Sequence, residues 1–498
     1  MVRTATKRKA KTGVAAVDNT DDVKKNAPNG NGIHEKSESP PQPTEAKRKR
    51  GKNTAGAAAA ATAAAVETES KAAASPPAKK LRKGTALRVR VAPSFRLAED
   101  VLPSGGGVVL TVGQGDTGQL GLGEDVMERS KPGLVKGLED AVDVAAGGMH
   151  SACLTKRGEV YTFGCNDEGA LGRSIVDDEE GFNAGKVELP LEKDEKVVQI
   201  TAGDSHCVAL TSRGRAFYWG TFRDSSGSFG LTEKGMERLP IPLCSGLDIR
   251  KVSSGTDHVA VLTQDGALFT VGCAEQGQLG RVGDRFVARG GRRGLGLLLN
   301  PDRIHAANRR IVFSDVWAGS YSTYAMTTAG DVLVCGLNNY NQLGVAKGLT
   351  FYTLVKSESI TRLSRESGGI AVIAPGQHHA IVLDKAGHAF ALGRAEYGRL
   401  GLGEDVNKEV SAPVAVPALS GRQVSDVSCG TAVSFAVDAD SGEVFSWGMG
   451  TNGQLARADG GEDDAWVPEV MAGKQLDERR VLLASGGGQH TMLLATNK

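Results

Sequence analysis

The stretch EVYTFGCNDEGALG, residues 159–172, decides the fold because the chain repeats its pattern. The pattern is a short run of strand-forming residues, a glycine, four variable residues and a motif close to Gly-Gln-Leu-Gly. Such regular self-similarity indicates a repeat protein. The closing glycines of successive copies are 51 to 64 residues apart, and the other six copies are VVLTVGQGDTGQLG (108–121), RAFYWGTFRDSSGSFG (215–230), ALFTVGCAEQGQLG (267–280), DVLVCGLNNYNQLG (331–344), HAFALGRAEYGRLG (388–401) and EVFSWGMGTNGQLA (443–456).

A second predicted strand precedes six of the seven copies and opens with Gly-x-x-His or a relative of that motif. Paired strands at periods of about 50 to 60 residues are typical of propeller blades, each of which buries its faces only against its neighbours. We therefore predict an all-β fold, a seven-bladed β-propeller over residues 101–498. The openings of the second strands are Gly147–His150, Gly203–His206, Gly255–His258, Gly319–Ser322, Gly376–His379 and Gly430–Val433.

The two ends of the repeat region predict how the ring closes. The first copy has no preceding Gly-x-x-His strand, whereas the motif Gly487–His490, followed by Thr491–Leu494, has no copy after it. One blade is then shared between the two ends. We expect the C-terminal strand to pair with Val108–Val112, which removes the free sheet edges of the ring.

Residues 1–100 differ in composition from the rest of the chain. Residues 1–90 contain 20 Lys and Arg but only 8 Asp and Glu, although the formal net charge of all 498 residues is +1. A tail rich in Lys, Ala, Pro and Ser with almost no aromatic residues buries too little apolar surface to fold, so we predict that it is disordered. Its basic clusters suit import receptors and DNA phosphates, or else belong to a solubilising linker. The residues that we assign to nuclear localisation are Lys47, Arg48, Lys49, Arg50, Lys79, Lys80, Arg82 and Lys83.

Motifs for covalent chemistry are poor in this sequence. The seven cysteines include no CxxC pair, which argues against a disulfide framework or a zinc module and favours a reducing compartment. The segment Gly113–Gly118 matches GxGxxG, but it lies inside the repeat with no helical pattern after it, so the dinucleotide-binding interpretation fails. No apolar run approaches the roughly 20 residues that cross a bilayer. We expect a soluble binding protein without metal, cofactor or covalent catalytic residue.

Comparison of the copies separates scaffold residues from candidate binding residues. The residues just before the repeated histidines differ between copies, notably Asp204, Asp257 and His378, and we expect their loops to share one rim of the ring. Each of these residues taken alone could instead be an ordinary solvated loop residue. Together they predict a surface for a basic partner. The repeated histidines themselves are assigned a structural role, in which a ring nitrogen bonds a neighbouring turn, and they are His150, His206, His258, His379 and His490.

Two insertions interrupt the regular repeats. The third copy carries two extra residues between its glycines, and Phe222 and Phe229 flank its polar tip. This pattern predicts a small hairpin stiff enough to push on a partner, with a simple surface insertion as the alternative. A longer glycine- and arginine-rich excursion, Arg281–Arg310, predicts a flexible basic loop for acidic protein surfaces or DNA, or a merely solvated loop.

Several stretches, including features outside the repeat, carry a family resemblance. They are GQGDTGQLGLGEDVMER (113–129), AGGMHSACLTKRGEVYTFGCNDEGALGR (146–173), AGDSH (202–206), EQGQLGRV (275–282), GQHHA (376–380), GRAEYGRLGLGE (393–404) and SGGGQHT (485–491). The region from about Val108 to Leu494 resembles the family of the regulator of chromosome condensation. This resemblance implies a guanine nucleotide exchange factor for the nuclear GTPase Ran that sits on nucleosomes.

The resemblance also implies roles for individual residues and partners. One propeller face would bind the GTPase through Asp116, Asp204, Asp257, Arg281, His378 and His490. A wedge beside the nucleotide would be formed by Phe222, Arg223, Asp224, Ser225, Ser226, Gly227, Ser228 and Phe229. Histones and DNA of the nucleosome would be contacted by the basic tail and by Arg289, Arg292 and Arg293. We expect a monomer on chromatin in the nucleus, brought there by an import receptor, with no membrane contact.

Two other functions use the same fold. A chromatin-bound propeller scaffold without exchange activity is the first alternative, and the matching wedge argues against it. A light-sensing propeller of the plant type is the second. It requires clustered tryptophans at a subunit interface, whereas the four here are scattered among the blades, at Trp219, Trp317, Trp447 and Trp466.

Overall fold

The computed structural model describes residues 106–287, 294–306, 308 and 310–498, and these residues form seven four-stranded antiparallel blades and one two-stranded hairpin. This confirms the predicted all-β, seven-bladed propeller. From the innermost to the outermost strand, blade 1 consists of Arg479–Gly486, His490–Asn497, Val108–Gln114 and Glu128–Leu134; blade 2 of Ala141–Ala146, His150–Thr155, Val160–Gly164 and Gly185–Val187; blade 3 of Val197–Ala202, His206–Thr211, Ala216–Gly220 and Glu237–Leu243.

The remaining blades follow in chain order. Blade 4 consists of Ile249–Ser254, His258–Thr263, Leu268–Gly272 and Asp302–Arg303; blade 5 of Phe313–Ala318, Ser322–Thr327, Val332–Leu337 and Thr350–Lys356; blade 6 of Ile370–Pro375, His379–Asp384, Ala389–Gly393 and Val410–Ala415; blade 7 of Val424–Cys429, Val433–Asp438, Val444–Gly448 and Ala465–Val470. The strands Phe222–Asp224 and Gly227–Gly230 form the hairpin, which follows the third strand of blade 3.

Short helices connect some of the strands. The α-helices are Asp284–Val287, Leu295–Leu299, Glu358–Glu366 and Lys474–Asp477, and the 3-10 helices are Asp178–Phe182, Glu396–Gly398 and Pro417–Leu419. Within the described residues, none of the helices has the length and apolar character needed to span a membrane.

The second strand of each blade explains why the repeats contain short apolar runs. Both faces of a blade pack against neighbouring blades, so inner strands are apolar without alternation, as in other sheets covered on both sides. In blades 2 and 3 every residue of His150–Thr155 and His206–Thr211 is buried. The outermost strand Glu128–Leu134 instead exposes its first three residues.

Blade 1 joins the two ends of the described chain. Val108 lies opposite Ala495 and Gly113 lies opposite His490 in an antiparallel ladder, so the C-terminal strand pairs with Val108–Gln114. The predicted closure is confirmed. The strand His490–Asn497 also pairs with Arg479–Gly486, which directly precedes it in the chain. It therefore joins the last part of the chain to the first by hydrogen bonds and closes the ring.

The Gly-x-x-His motif packs a histidine ring against the backbone of the innermost strand. At Gly203, for example, an added Cβ atom would collide with the His206 ring and with the backbone of Gly255 in the next blade. Only glycine leaves this space, which explains its recurrence. The motif glycines of all seven blades surround an axial cavity of about 190 Å³, and they are Gly147, Gly203, Gly255, Gly319, Gly376, Gly430 and Gly487.

The repeated histidines connect neighbouring blades, which confirms their structural role. His258 places Nε2 2.9 Å from Oγ1 of Thr323 in blade 5, and His379 places Nε2 2.8 Å from Oγ of Ser434 in blade 7. The partner atom belongs to a strand of the next blade, whereas a neighbouring turn was predicted. Burial lowers the pKa of His206 and of His258 to about 3, so these rings are neutral and act as hydrogen-bonding groups.

A β-bulge in the innermost strand turns its third residue toward the next blade. In blade 2 the bulge lies between Ala141 and Asp143, and the Asp143 carboxylate accepts from the backbone amide of Ile200 in blade 3. In blade 7, Asp426 accepts from the backbone amide of Ala484 at 3.2 Å. Equivalent positions in other blades use different chemistry, including the buried ion pair between Lys251 and Asp315 at 2.6 Å.

Asp143 and Asp426 make the stability of the ring depend on pH. Burial raises the pKa of each carboxyl from 3.8 to about 7, so between these values the folded protein binds protons that the unfolded chain has lost. These two groups therefore lower stability as pH rises. We expect the variant with Asp143→Asn and Asp426→Asn to match the wild type near pH 4. Above about pH 7 it should be more stable, by up to roughly 4 kcal/mol per site.

Thermal melts of both proteins at a series of pH values measure this effect. Asparagine cannot ionise and keeps one oxygen that accepts from the backbone, so the substitution removes the titration while it retains the hydrogen bond to the next blade. The histidines titrate equally in both proteins and cancel in the difference. A difference in melting temperature that stays constant with pH would contradict the prediction.

Candidate functional site

Two sets of loops share one rim of the ring, which we call the docking rim. One set joins the first and second strands of each blade and contains the residues before the histidines; the other joins the third and fourth strands. Backbone hydrogen bonds connect the two sets, from Thr221 N to Ser205 O at 2.9 Å in blade 3 and from Cys273 N to Asp257 O at 2.8 Å in blade 4. The loops expected on one rim therefore do lie together, and the hairpin lies with them.

The hairpin has an apolar base and a polar, exposed tip. Phe222 lies opposite Gly230 in its ladder, and the Phe222 ring is 4.9 Å from the His206 ring in an edge-on contact. Phe222 is fully buried and Phe229 is 8% exposed, whereas Ser225 and Ser226 are exposed. The predicted hairpin is confirmed, and its two phenylalanines fix it in the core below.

Blades on both sides of the hairpin hold it in place. The backbone amide of Arg223 donates to Asp257 Oδ1 at 2.8 Å, and the Arg223 guanidinium pairs with Glu168 of blade 2 at 3.0 Å. At the tip, Ser225 donates from its amide and its hydroxyl to the two carboxylate oxygens of Glu275 in blade 4, at 2.9 and 2.7 Å. The tip is thus ordered before any partner binds.

Carboxylates outnumber cations around the base of the hairpin. Burial raises the pKa of Asp257 to about 7, and the neighbouring Asp204 carboxylate adds to that rise. Burial also raises the pKa of Asp204, and one oxygen of Glu168 has no hydrogen-bond partner. A basic side chain brought here would neutralise crowded, partly desolvated carboxylates, so this part of the docking rim favours a cationic group.

His378 lies on the docking rim at the seam between blades 5 and 6. Its ring is 5.1 Å from the Tyr340 ring and 5.9 Å from the Tyr321 ring. Burial, together with the nearby guanidinium groups of Arg399 and Arg394, lowers the pKa of His378 to about 4. The imidazole is therefore neutral at neutral pH and offers a hydrogen bond rather than a charge.

The other three residues implied by the resemblance are placed differently. Asp116 is exposed on the docking rim in blade 1. Arg281 is half-buried, and its guanidinium donates to the backbone oxygens of Thr270 at 3.0 Å and Leu297 at 2.7 Å. His490 is 1% exposed, with Nε2 2.8 Å from Ser151 Oγ. The side chains of Arg281 and His490 therefore support the propeller itself, and their contact with a partner stays a prediction.

The remaining sequence-derived sites lie outside the described residues. These are the arginines Arg289, Arg292 and Arg293 and the basic clusters of the tail. Among the described residues, no group of three or more His, Cys, Asp or Glu side chains is placed to hold a metal ion.

Known proteins share both the sequence and the fold of this propeller. Residues 108–493 match the family model of the RCC1-like domain. The regulator of chromosome condensation of Xenopus laevis is 49% identical over 397 residues, which cover 79% of this chain and 91% of that protein. This chain belongs to the regulator of chromosome condensation family.

Other members of the regulator of chromosome condensation family come from yeast. The guanine nucleotide exchange factor SRM1 of Saccharomyces cerevisiae is 28% identical over 426 residues, covering 76% of this chain and 85% of that protein. The crystal structure of Prp20p from the same organism, described with its binding properties to Gsp1p and histones, has a TM-score of 0.69 and 26% identity and covers 80% of this chain and 93% of its own. Yeast RCC1 (Prp20) bound to Kap60 gives a TM-score of 0.70 at 26% identity and covers 85% and 96%.

Sequence reasoning missed two carboxylates of this family member that hold the hairpin. Glu168 and Glu275 occupy the variable residues of the second and fourth copies, in the two blades that flank the insertion. An acidic residue in each flanking loop, beside an insertion that contains Arg223, is the signal that was available. The sequence alone does not reveal that loops of different blades meet at the tip.

Proposed function

We propose that this protein is a guanine nucleotide exchange factor for the nuclear GTPase Ran and that it works on chromatin. The observation that carries the proposal is the hairpin Phe222–Phe229, anchored in the core and fixed between carboxylates on the docking rim. A projection that is already ordered loses little conformational entropy when it meets a partner. The yeast family member named as an exchange factor supports the same activity.

The exchange itself requires no covalent chemistry. A factor that binds the nucleotide-free GTPase more tightly than the loaded forms displaces the nucleotide, and nucleotide in turn displaces the factor. Such coupling lowers the barrier without choosing a direction. If release is accelerated on the order of 10⁴-fold, about 5.5 kcal/mol of this preference is expressed at the transition state.

The docking rim divides this work between its parts. Asp204 and Asp257 would hold basic side chains of the GTPase, while the tip of the hairpin would disturb the loop that binds the nucleotide phosphates. Asp116 and His378 would extend the contact to other blades. The arrangement supports this assignment because the carboxylates and the hairpin lie on the same rim, where Asp257 accepts a hydrogen bond from the hairpin residue Arg223.

Other parts of the chain would hold the factor on chromatin. Arg289, Arg292 and Arg293 would contact histones, and the basic tail would contact DNA, whose phosphates favour clustered Lys and Arg. The clusters at Lys47–Arg50 and Lys79–Lys83 would bind an import receptor and direct the protein, as a monomer, to the nucleus. The yeast family members described with histones and with Kap60 support these partners.

Release of labelled GDP from purified Ran tests the proposal directly. A catalytic amount of this protein should accelerate release by several orders of magnitude, in the presence of either GDP or GTP. A chromatin-bound scaffold would bind nucleosomes and leave the release rate of GDP unchanged. That outcome would reject the exchange function and favour the alternative.

Asp257 offers a point test of the docking rim. Asp257→Asn keeps an oxygen to accept from the Arg223 amide but removes the negative charge, so we expect exchange to slow about 10-fold, or about 1.4 kcal/mol. Because its pKa is about 7, wild-type activity should fall as pH drops through 7, when the carboxylate gains a proton. The variant should lack that part of the pH dependence.

The matched control is Asp440→Asn. Asp440 is an exposed aspartate in the turn between the second and third strands of blade 7, on the opposite rim. The Asp440→Asn variant should accelerate GDP release as much as the wild type does. Equal exchange rates for the Asp257 variant and the wild type, with equal melting temperatures, would show that Asp257 is not part of the contact with the GTPase.

A further inference from the structure

One loop on the docking rim departs from the repeat in a way that costs stability. In four blades a buried glutamine of the Gly-Gln-Leu-Gly motif accepts a hydrogen bond, at 2.9 to 3.0 Å, from the backbone amide two residues earlier; these residues are Gln119, Gln278, Gln342 and Gln454. Blade 6 has Arg399 at this position, and Arg399 is only 2% exposed. A guanidinium group carries no acceptor, so it does not replace that bond.

Two unfavourable features accompany the arginine. Tyr397, two residues earlier, has φ of 61°, a left-handed conformation that costs a non-glycine residue roughly 1 kcal/mol. Arg399 Nε donates to the Glu396 carbonyl at 2.9 Å, but its buried Nη1 has no hydrogen-bond partner, and the Glu396 carboxylate pairs with Arg394 instead. A buried charge without a matching carboxylate is among the most costly arrangements in a protein.

Aromatic rings surround this charge on the docking rim. The Arg399 guanidinium lies 5.4 Å from the centre of the Tyr397 ring, which is 42% exposed and covers it. The Arg394 guanidinium lies 4.6 Å from the centre of the Tyr340 ring. His378, next to Tyr340, is neutral, so the cluster carries two guanidinium charges and one exposed carboxylate. Its net charge is therefore positive.

We propose that this cluster of His378, Arg394 and Arg399, with its tyrosine walls, receives a carboxylate side chain of the docked GTPase. The proposal rests on the proposed function for the identity of the partner. Nη1 of Arg399 and Nε of Arg394 are buried donors without a hydrogen-bond partner, and the two oxygens of a single carboxylate match them. The exposed Tyr397 ring turns aside to admit the carboxylate.

The position of the cluster gives this contact a role in orientation. The carboxylates around Asp257 lie at the seam of blades 3 and 4, whereas His378, Arg394 and Arg399 belong to loops of blade 6 on the same rim. A partner with a basic group and an acidic group at matching positions binds in one orientation, and the reversed orientation brings like charges together. The cluster thus determines how the hairpin meets the nucleotide site.

Arg399→Gln is the decisive substitution because four other blades already contain that glutamine. It removes the buried charge and restores the acceptor that closes the turn, so we expect the melting temperature to rise. Affinity for nucleotide-free Ran should fall about 30-fold at the same time, which corresponds to about 2 kcal/mol. Arg399→Lys keeps the positive charge but lacks the planar guanidinium, so its affinity for Ran should lie between those of the wild type and Arg399→Gln. The control Arg422→Gln, on the opposite rim, should bind as the wild type does.

The partner group is identified with a series of Ran variants, each with one surface Asp or Glu changed to its amide. One of them should bind wild-type protein weakly and lose little further affinity against Arg399→Gln, since the two changes remove the same contact. Unchanged binding by Arg399→Gln, or a joint loss of affinity and stability, would overturn the proposal. If the wild-type protein does not accelerate release of GDP from Ran, the proposed function itself is overturned.

Discussion

Replacing Arg223–Ser228 by two glycines is expected to reduce nucleotide exchange by at least about 100-fold, or about 2.7 kcal/mol, while the propeller stays folded. The substitution removes the tip and its strands but keeps Phe222 and Phe229, whose rings fill the core of blade 3. The core therefore loses no large apolar group. The loss of exchange follows because the shortened loop has nothing left to push into the GTPase.

The measurement compares labelled GDP release with binding and with thermal melting. We expect the shortened variant to retain a weakened affinity for Ran, because Asp204 and Asp257 remain on the docking rim. Binding without exchange would separate the hairpin, as the group that acts in the transition state, from residues that only hold the partner. A variant that exchanges at the wild-type rate would contradict the wedge assignment.

Glu275→Gln refines this test by loosening the tip without removing it. The amide keeps one oxygen for Ser225 but loses the charge that strengthens both hydrogen bonds. We therefore expect an intermediate loss of exchange, smaller than that of the shortened hairpin. A loss of equal size would indicate that order in the tip, rather than its presence, is the limiting property.

The scaffold was predictable from sequence because each of its rules is repeated. Seven glycine-closed strands, the second strand opened by Gly-x-x-His and the unmatched motif at Gly487–His490 together specified the blades and the closure now seen between Val108–Gln114 and His490–Asn497. The hairpin was also predictable, since two extra residues between paired glycines have no place within a blade. Local patterns sufficed where the contacts are local or repeated.

The candidate site was only partly predictable because its contacts join loops of different blades. The clamp of Glu275 on Ser225 crosses from blade 4 to blade 3, and no local pattern encodes it. Resemblance implied that His490 meets a partner, yet it belongs to the repeated set whose rings are buried between blades. Comparison of the repeats within the chain therefore predicted the structural role that the burial of His490 shows, whereas its contact with a partner stays a prediction.

Arg399 also shows that a local sequence pattern does not reveal the surroundings of a residue. The change from glutamine to arginine at one repeat position is visible in the sequence, but its meaning depends on burial. Only the structure shows that Arg399 is 2% exposed and lies below an exposed tyrosine. It also shows that Arg399 forms no salt bridge with a carboxylate of the described residues and that its Nη1 is unpaired. Where a repeat is broken at a cost to stability, function is the expected reason.

Closure of the ring leads to the second large expectation, that removal of residues 486–498 unfolds the propeller as a whole. The strand His490–Asn497 lies between Arg479–Gly486 and Val108–Gln114, so its loss breaks blade 1 and exposes the edges of both remaining parts. Four successive side chains of this strand, Met492 to Ala495, are fully buried. At about 1.5 to 3 kcal/mol for each of the larger ones, their loss approaches the total stability of an ordinary domain.

Because every blade packs only on its neighbours, a ring opened at one blade loses the constraint that holds all seven together. We expect the truncated protein to show no cooperative melt, whereas removal of Asn497 and Lys498 alone should leave the melt nearly unchanged. A synthetic peptide of residues 486–498 should restore cooperative unfolding when added in excess, by mass action on the open ring. A truncated protein that melts like the intact chain would show that the remaining blades hold the ring shut without their shared strand.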